Sequence, residues 1–252
     1  MPFIDIATGA RLHYEEVGQG EALIVVHGLL GTAKLHLSNV INWLNSKDHI
    51  YGPSLRGYGE STPKPRDFPL DFYHRDAKDV LAFMDALGIQ SAHILGYSDG
   101  GETALVAAGL QPERFKSVAV IGAVGNFTSA IRPRVQSMFP ATWITEADKS
   151  MHDIPDADGF ILQWIKAMKH TVDTGGDVSL SLAPNITCPV LIMLGDKDTL
   201  NPAEYALKFL ERTPNGRLEM FQCGHPVHDQ QWSEFQRVYA DFLRTAAKSP
   251  VV

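Results

Sequence analysis

The sequence predicts an α/β fold: a mostly parallel, twisted sheet flanked by helices and carrying a small helical insertion. Three observations predict it. Short apolar runs such as "ALIVV" and "VLIML" alternate with helix-patterned stretches, the rhythm of strand–helix–strand units. These runs are continuously apolar rather than alternating, as strands covered on both faces require. The rhythm lapses over residues 126–185, where helical periodicity continues without strands, and then resumes.

Taken in order, the runs at 3–7 and 12–17 alternate apolar with polar around Thr8-Gly9-Ala10, which predicts an antiparallel hairpin at a sheet edge. "EALIVVHG" (21–28) is a buried strand, and "HIYGPSL" is a weaker strand candidate. A helix is expected over 71–87, with Ala77, Val80, Leu81, Met84 and Leu87 on one face and Gly88 as its stop. Then come a strand at 92–95, a helix at 100–110 and a strand at 117–123. Inside the strandless stretch "FILQWIKAMKH" (160–170) is the clearest helix. Strands resume at 188–196 and in "GRLEMFQC". A last helix carries Phe235, Val238, Tyr239, Phe242 and Leu243 at i, i+3, i+4, i+7 and i+8. The expected division is a core of 1–125 and 186–252 with a helical cap of 126–185.

The bulk properties exclude several classes. The 252 residues are 44% apolar, enough to bury a substantial core. A net charge of −7 without a Lys/Arg cluster argues against nucleic-acid or anionic-membrane partners. No apolar run approaches membrane-spanning length, and the opening residues lack a basic segment followed by an apolar one. A cytoplasmic protein without a signal peptide is the expectation. The two cysteines, Cys188 and Cys223, border apolar runs and are expected as buried free thiols.

"GYSDGG" (96–101) lies between a strand and a helix, the context that makes a G-x-S-x-G pattern chemically meaningful. Flanking glycines let the chain turn tightly around Ser98, holding its hydroxyl clear of the sheet at a helix N-terminus. A serine nucleophile needs a base, and the base needs an orienting acid. "LIMLGDKDTLNP" offers Asp196 and Asp198; Asp198 is favoured because it lies in the loop, leaving Asp196 to bond its own turn. "MFQCGHPVHDQ" offers His225 and His228, and His225 directly follows Gly224 at the strand exit. A metal reading of His225-x-x-His228-Asp229 lacks further ligands. The oxyanion donors expected are the backbone N–H of Asp99 and of Leu29 in "VVHGLLG". His27 is expected to organise that loop through hydrogen bonds rather than act as a base.

In order and across almost the whole chain, "VVHGLLG", "PSLRGYGES", "GYSDGG", "LGDKD" and "CGH" resemble the α/β-hydrolase superfamily. The stretch from "LRGYGESTPKPRDFPLDFYHRDAKD" to "GYSDGGETAL" is similar to its biphenyl hydrolase-like branch. The resemblance implies the α/β-hydrolase fold, a Ser98/Asp198/His225 triad, and carboxylesterase activity directed in that branch to α-amino-acid esters. One departure is Ser54, where the superfamily usually carries an acid before the Gly-x-Gly. The loop Arg56-Gly57-Tyr58-Gly59 is therefore expected to be held differently.

Asp99 stands beside a site where negative charge develops. Two like charges ~5 Å apart repel by a fraction of a kcal/mol in water and by up to ~3 kcal/mol at a half-buried site. Two readings stand: a carboxylate in the first helical turn facing elsewhere, or a partner for a cation on the acyl side of the substrate. Tyr97, Trp143 and Trp164 are further substrate-binding candidates, and ordinary helix packing explains the tryptophans equally well. The expected reaction uses a small-molecule ester and calls for no cofactor or metal. The alternatives are C–C bond hydrolysis, a lactonase or a perhydrolase with the same triad, and a ligand-binding receptor on a hydrolase scaffold. For C–C cleavage Arg132 and Arg134 could meet a substrate carboxylate; a solvated helix face is their plainer reading.

Overall fold

Eight strands form one sheet in the order β1-β2-β4-β3-β5-β6-β7-β8 in the computed structural model, which describes residues 2–246. They are β1 (Phe3–Asp5), β2 (Arg11–Val17), β3 (Glu21–Val26), β4 (Asp48–Pro53), β5 (Ala92–Tyr97), β6 (Phe115–Ile121), β7 (Val190–Gly195) and β8 (Gly216–Phe221). β1 and β2 form the antiparallel edge that their alternating sequence predicts, and every pairing from β4 to β8 is parallel.

Both faces of the central strands are covered, which is why their sequences are apolar throughout. Ile24 and Val26 of β3, Val118 and Val120 of β6, and Ile192 and Leu194 of β7 join one core. Their neighbours Leu23, Val25, Ala119, Ile121, Leu191 and Met193 join the other. Each fully buried Val, Leu, Ile or Met among them contributes roughly 1.5–3 kcal/mol by leaving water. The first core is closed by α2 (Phe72–Ala86) and α3 (Asp99–Leu110). The second is closed by α1 (Ala33–Leu44) and by a last helix, Trp232–Ala246. In that helix Phe235, Val238, Tyr239 and Phe242 are buried, as their spacing predicts. The α1 helix has no counterpart among the sequence expectations; it buries Leu37, Val40, Ile41 and Leu44 and changes direction at Leu37.

Between β6 and β7 the described residues hold helices α4 (Arg132–Gln136), α5 (Glu146–His152) and α6 (Ala157–Asp173), and no strand. This segment is tied down at its neck. Asn126 donates to the Tyr205 and Val124 carbonyls, and Gly125 O accepts from Val178 and Ser179 N–H. Tyr205 belongs to α7 (Ala203–Leu210), also unforeseen, and a short α8 (Val227–Gln230) precedes α9, the last helix.

The loop around Gly57 and Gly59 is held by Arg56 and Arg66 rather than by the Ser54 side chain. Ser54 contributes only backbone bonds, to His13 and from the Ser61 hydroxyl. Arg56 instead forks onto buried Asp79 at 2.8 and 2.7 Å, and buried Arg66 pairs with buried Asp76 at 2.9 and 2.5 Å. Cys223 is buried and Cys188 only half-buried, correcting the expectation for the latter; both are free thiols. Among the described residues no helix is long and apolar enough to cross a membrane.

Candidate active site

Ser98 sits between β5 and α3 at φ 55°, ψ −125°, a strained conformation for any side-chain-bearing residue that stores about 1–3 kcal/mol. The neighbouring glycines make the turn possible. A Cβ on Gly96 would lie 2.3 Å from Gly100 O, and one on Gly100 would lie 2.3 Å from His27 O. The turn is fastened by Ser98 N–H to Ile121 O at 2.8 Å and by Gly101 N–H to Ser98 O at 2.7 Å.

Loops after β7 and β8 bring an acid and a base to the same end of the sheet. His225 Nδ1 donates to Asp198 Oδ2 at 2.6 Å, which leaves Nε2 as the basic nitrogen. Asp198 is nearly buried, while the His225 side chain keeps 24% exposure. Burial pushes the Asp198 carboxyl up; bonds from His225, from Asn201 and from Leu200 N–H outweigh it and hold it below the usual carboxylate value. His225 is seated by Gly122, where a Cβ would come within 2.4 Å of its ring, and by the Tyr97 ring 5.2 Å away. Asp196 is exposed, and the carboxylate that bonds its own turn is that of Asp198, the reverse of the expectation. His228 donates to His36 O and packs against Tyr97 at 4.7 Å, behind the site. Among the described residues no cluster of His, Cys, Asp or Glu is arranged to hold a metal ion.

The two expected oxyanion donors lie in different environments. Asp99 opens α3, so its N–H has no partner inside the helix. Leu29 is half-buried in the loop after β3, between Gly28 and a Leu30 at φ 54°. His27 organises that loop as its position predicts: Nδ1–H donates to Gly28 O at 2.8 Å and Nε2 accepts from Leu55 N–H at 2.9 Å. Its burial holds the imidazole well below its ordinary pKa, hence neutral.

The Asp99 side chain does not face away. Its Oδ1 accepts from the Tyr73 hydroxyl of α2 at 2.8 Å, and its Oδ2 accepts from the Trp164 indole of α6 at 3.1 Å. Burial raises its pKa above the usual value, partly offset by these two donors and by the charge of Arg66. Trp164 is thus brought to the Asp99 carboxylate, while Tyr97 packs among His36, His225 and His228. Trp143 is 41% exposed and donates to Met138 O within the insertion. Arg132 pairs with Asp173, and exposed Arg134 bonds Ser137.

Sequence reasoning missed Tyr73, Asn201 and Glu102. Glu102, one turn into α3, is buried and accepts from Val124 N–H at 2.8 Å and from Gly125 N–H at 3.0 Å, gripping the strand exit where the insertion begins. Burial pushes its carboxyl up to about 7 against those donors. The signal available was a glutamate on an otherwise small and apolar helix. For Asn201 it was the short interval after Asp198. Tyr73 had none, because α2 predicts its burial but not what its hydroxyl meets.

Residues 21–143 match the alpha/beta hydrolase fold family. The serine hydrolase BPHL of Mus musculus is 34% identical over 244 residues, covering 94% of this chain and 84% of the relative. A 2-hydroxy-6-oxo-6-phenylhexa-2,4-dienoate hydrolase of Comamonas testosteroni is 27% identical, covering 92% and 91%. The solved structure of the enzyme so named from Rhodococcus sp. strain RHA1 superposes with a TM-score of 0.78 at 20% identity, covering 96% of this chain and 99% of that one. A shared sheet order alone would show only a fold; similarity that runs nearly end to end at 34% identity shows descent, and this chain belongs to the α/β-hydrolase family.

Proposed function

We propose that the chain is a serine hydrolase that cleaves small carboxylic esters through an acyl-enzyme, with a preference for acyl groups bearing a cation, such as α-amino-acid esters. The observation that carries the first part is the His225–Asp198 bond of 2.6 Å beside a serine held at φ 55°. His225 Nε2 takes the Ser98 hydroxyl proton as Oγ attacks the ester carbonyl. Leu29 and Asp99 N–H groups receive the negative oxygen, and the imidazolium protonates the departing alcohol. Water then gives a proton to His225 and its oxygen to the acyl carbon, releasing the acid and restoring Ser98.

Asp99 supports the second part. Its carboxylate is fixed by two donors yet short of compensating charge, so an α-ammonium beside it would relieve the burial that raises its pKa. The helices of 126–185, which supply Trp164, would form the lid of the acyl pocket. The likeness to the dienoate hydrolase favours a second reading, C–C bond cleavage. That reaction calls for a cation facing a substrate carboxylate, and Arg132 and Arg134 are engaged elsewhere.

Two measurements test the proposal. Fluorophosphonate should label the wild type and not Ser98→Ala; an unlabelled wild type would end the serine mechanism. In Asp99→Asn, kcat/KM for an amino-acid ester relative to a matched neutral ester should drop roughly 10–100-fold, the scale of a hydrogen-bonded ion pair. Equal losses for both esters would reduce Asp99 to a structural role.

A further inference from the structure

Three imidazoles surround the loop of residues 28–31. His27 donates to Gly28 O, His36 Nδ1 accepts from Gly28 N–H at 3.3 Å, and His152 donates through Nε2 to Leu30 O at 3.1 Å. His27 and His36 are the loop's own neighbours in sequence. His152 is 122 residues away, at the end of α5 in the insertion. It is fully buried, and its Nδ1 accepts from Gly59 N–H at 2.9 Å, which fixes the proton on Nε2. The Tyr58 ring stands edge-on between His27 and His152, at 5.2 and 5.4 Å.

These bonds fall on neighbouring peptide units of the loop, on both sides of Leu29. Gly28 C=O and Leu29 N–H belong to the same rigid peptide unit and point in opposite directions. The His27 bond to Gly28 O therefore aims the Leu29 N–H from one side. From the other side, beyond a Leu30 held at φ 54°, the Leu30–Gly31 peptide unit returns Gly31 N–H to the same Gly28 O at 3.2 Å. His152 holds the carbonyl of that unit.

We propose that His152 is a positioning residue: it makes the aim of the Leu29 oxyanion donor depend on the insertion being seated. The inference rests on the serine-hydrolase reading and deepens it. With His152 in place, an insertion lifted from the core would release Leu30 and blunt the oxyanion site, so acyl transfer would proceed only under a seated insertion. His152 touches no reacting atom; it acts through Leu30.

The test compares His152→Phe, which keeps the ring and removes both polar contacts, with His152→Gln, whose amide keeps one donor and one acceptor. His152→Phe should lose roughly 10–100-fold in kcat with KM changed less than about threefold, the pattern of an interaction made in the transition state. Affinity for a trifluoromethyl ketone, whose Ser98 adduct carries an oxyanion, should weaken by a matching factor. His152→Gln should recover most of both. Should the phenylalanine variant fail to fold, His152→Met fills the same space and takes its place. A folded variant with wild-type kcat, or one whose lost kcat leaves trifluoromethyl ketone affinity untouched, overturns the proposal. A wild type with no ester turnover would instead overturn the reading beneath it.

Discussion

The two walls of the candidate site are built by different means. One wall, the turn at Ser98 with His225 and Asp198, stands on strand ends of the sheet and is shaped by glycines whose missing Cβ atoms make room for backbone and ring. The other wall, Asp99 with Tyr73, Trp164 and the loop that His152 holds, is assembled from α2, α5 and α6 across long sequence separations. The contrast teaches that one wall is set by local sterics and the other by long-range packing. On the proposed function, substitutions on the first wall should strike turnover of every substrate, and those on the second should act substrate by substrate or through the seating of residues 126–185.

The sharpest way to break this comparison is at Asp198. Asp198→Asn keeps the shape but loses the charge that stabilises the His225 imidazolium and that fixes its tautomer, so kcat should fall by roughly 10³–10⁴ for cationic and neutral esters alike. A loss confined to cationic esters would erase the distinction between the walls.

A smaller effect is expected outside both walls, at Glu102. Its folded pKa of about 7 lies above the ordinary 4.5, so the folded protein keeps this proton over a range where the unfolded chain has released it. Glu102 thus favours folding fully below about 4.5, and that contribution is lost as pH rises to about 7, amounting to about 3 kcal/mol. Urea midpoints measured from pH 4.5 to 7.5 should show this decline in the wild type, superimposed on other titrations. Glu102→Gln retains acceptor capacity for Val124 and Gly125 and should be flatter by that amount. Identical pH slopes for the two proteins would refute the assignment. The slope concerns stability alone; at a pH where both are folded, the two proteins should differ little in ester selectivity.

How much was legible follows the same divide. The sheet, its antiparallel edge, α3 and the last helix were readable because period-2 runs, period-3.6 runs and glycine positions are local properties. Ser98, Asp198 and His225 were readable as well, since strand ends of a parallel sheet converge and their order along the chain is enough to nominate them. α1 and α7 passed unread, their apolar residues being spread among polar and aromatic neighbours without clear stops. Of Asp196 and Asp198 it is the latter that meets His225, and the turn bond assigned to Asp196 is also made by Asp198.

By itself the sequence determined the fold class, the tight turn at Ser98 and the chain order of Ser98, Asp198 and His225, because each rests on sterics or periodicity acting over a few residues. Tertiary structure alone decided which way Asp99 faces, which tryptophan reaches it, and that an imidazole from the insertion grips the Leu30 carbonyl. Those outcomes depend on how α2, α5 and α6 pack over the sheet. Hydrogen-bond partners 65 to 122 residues apart leave no period in the chain to be read.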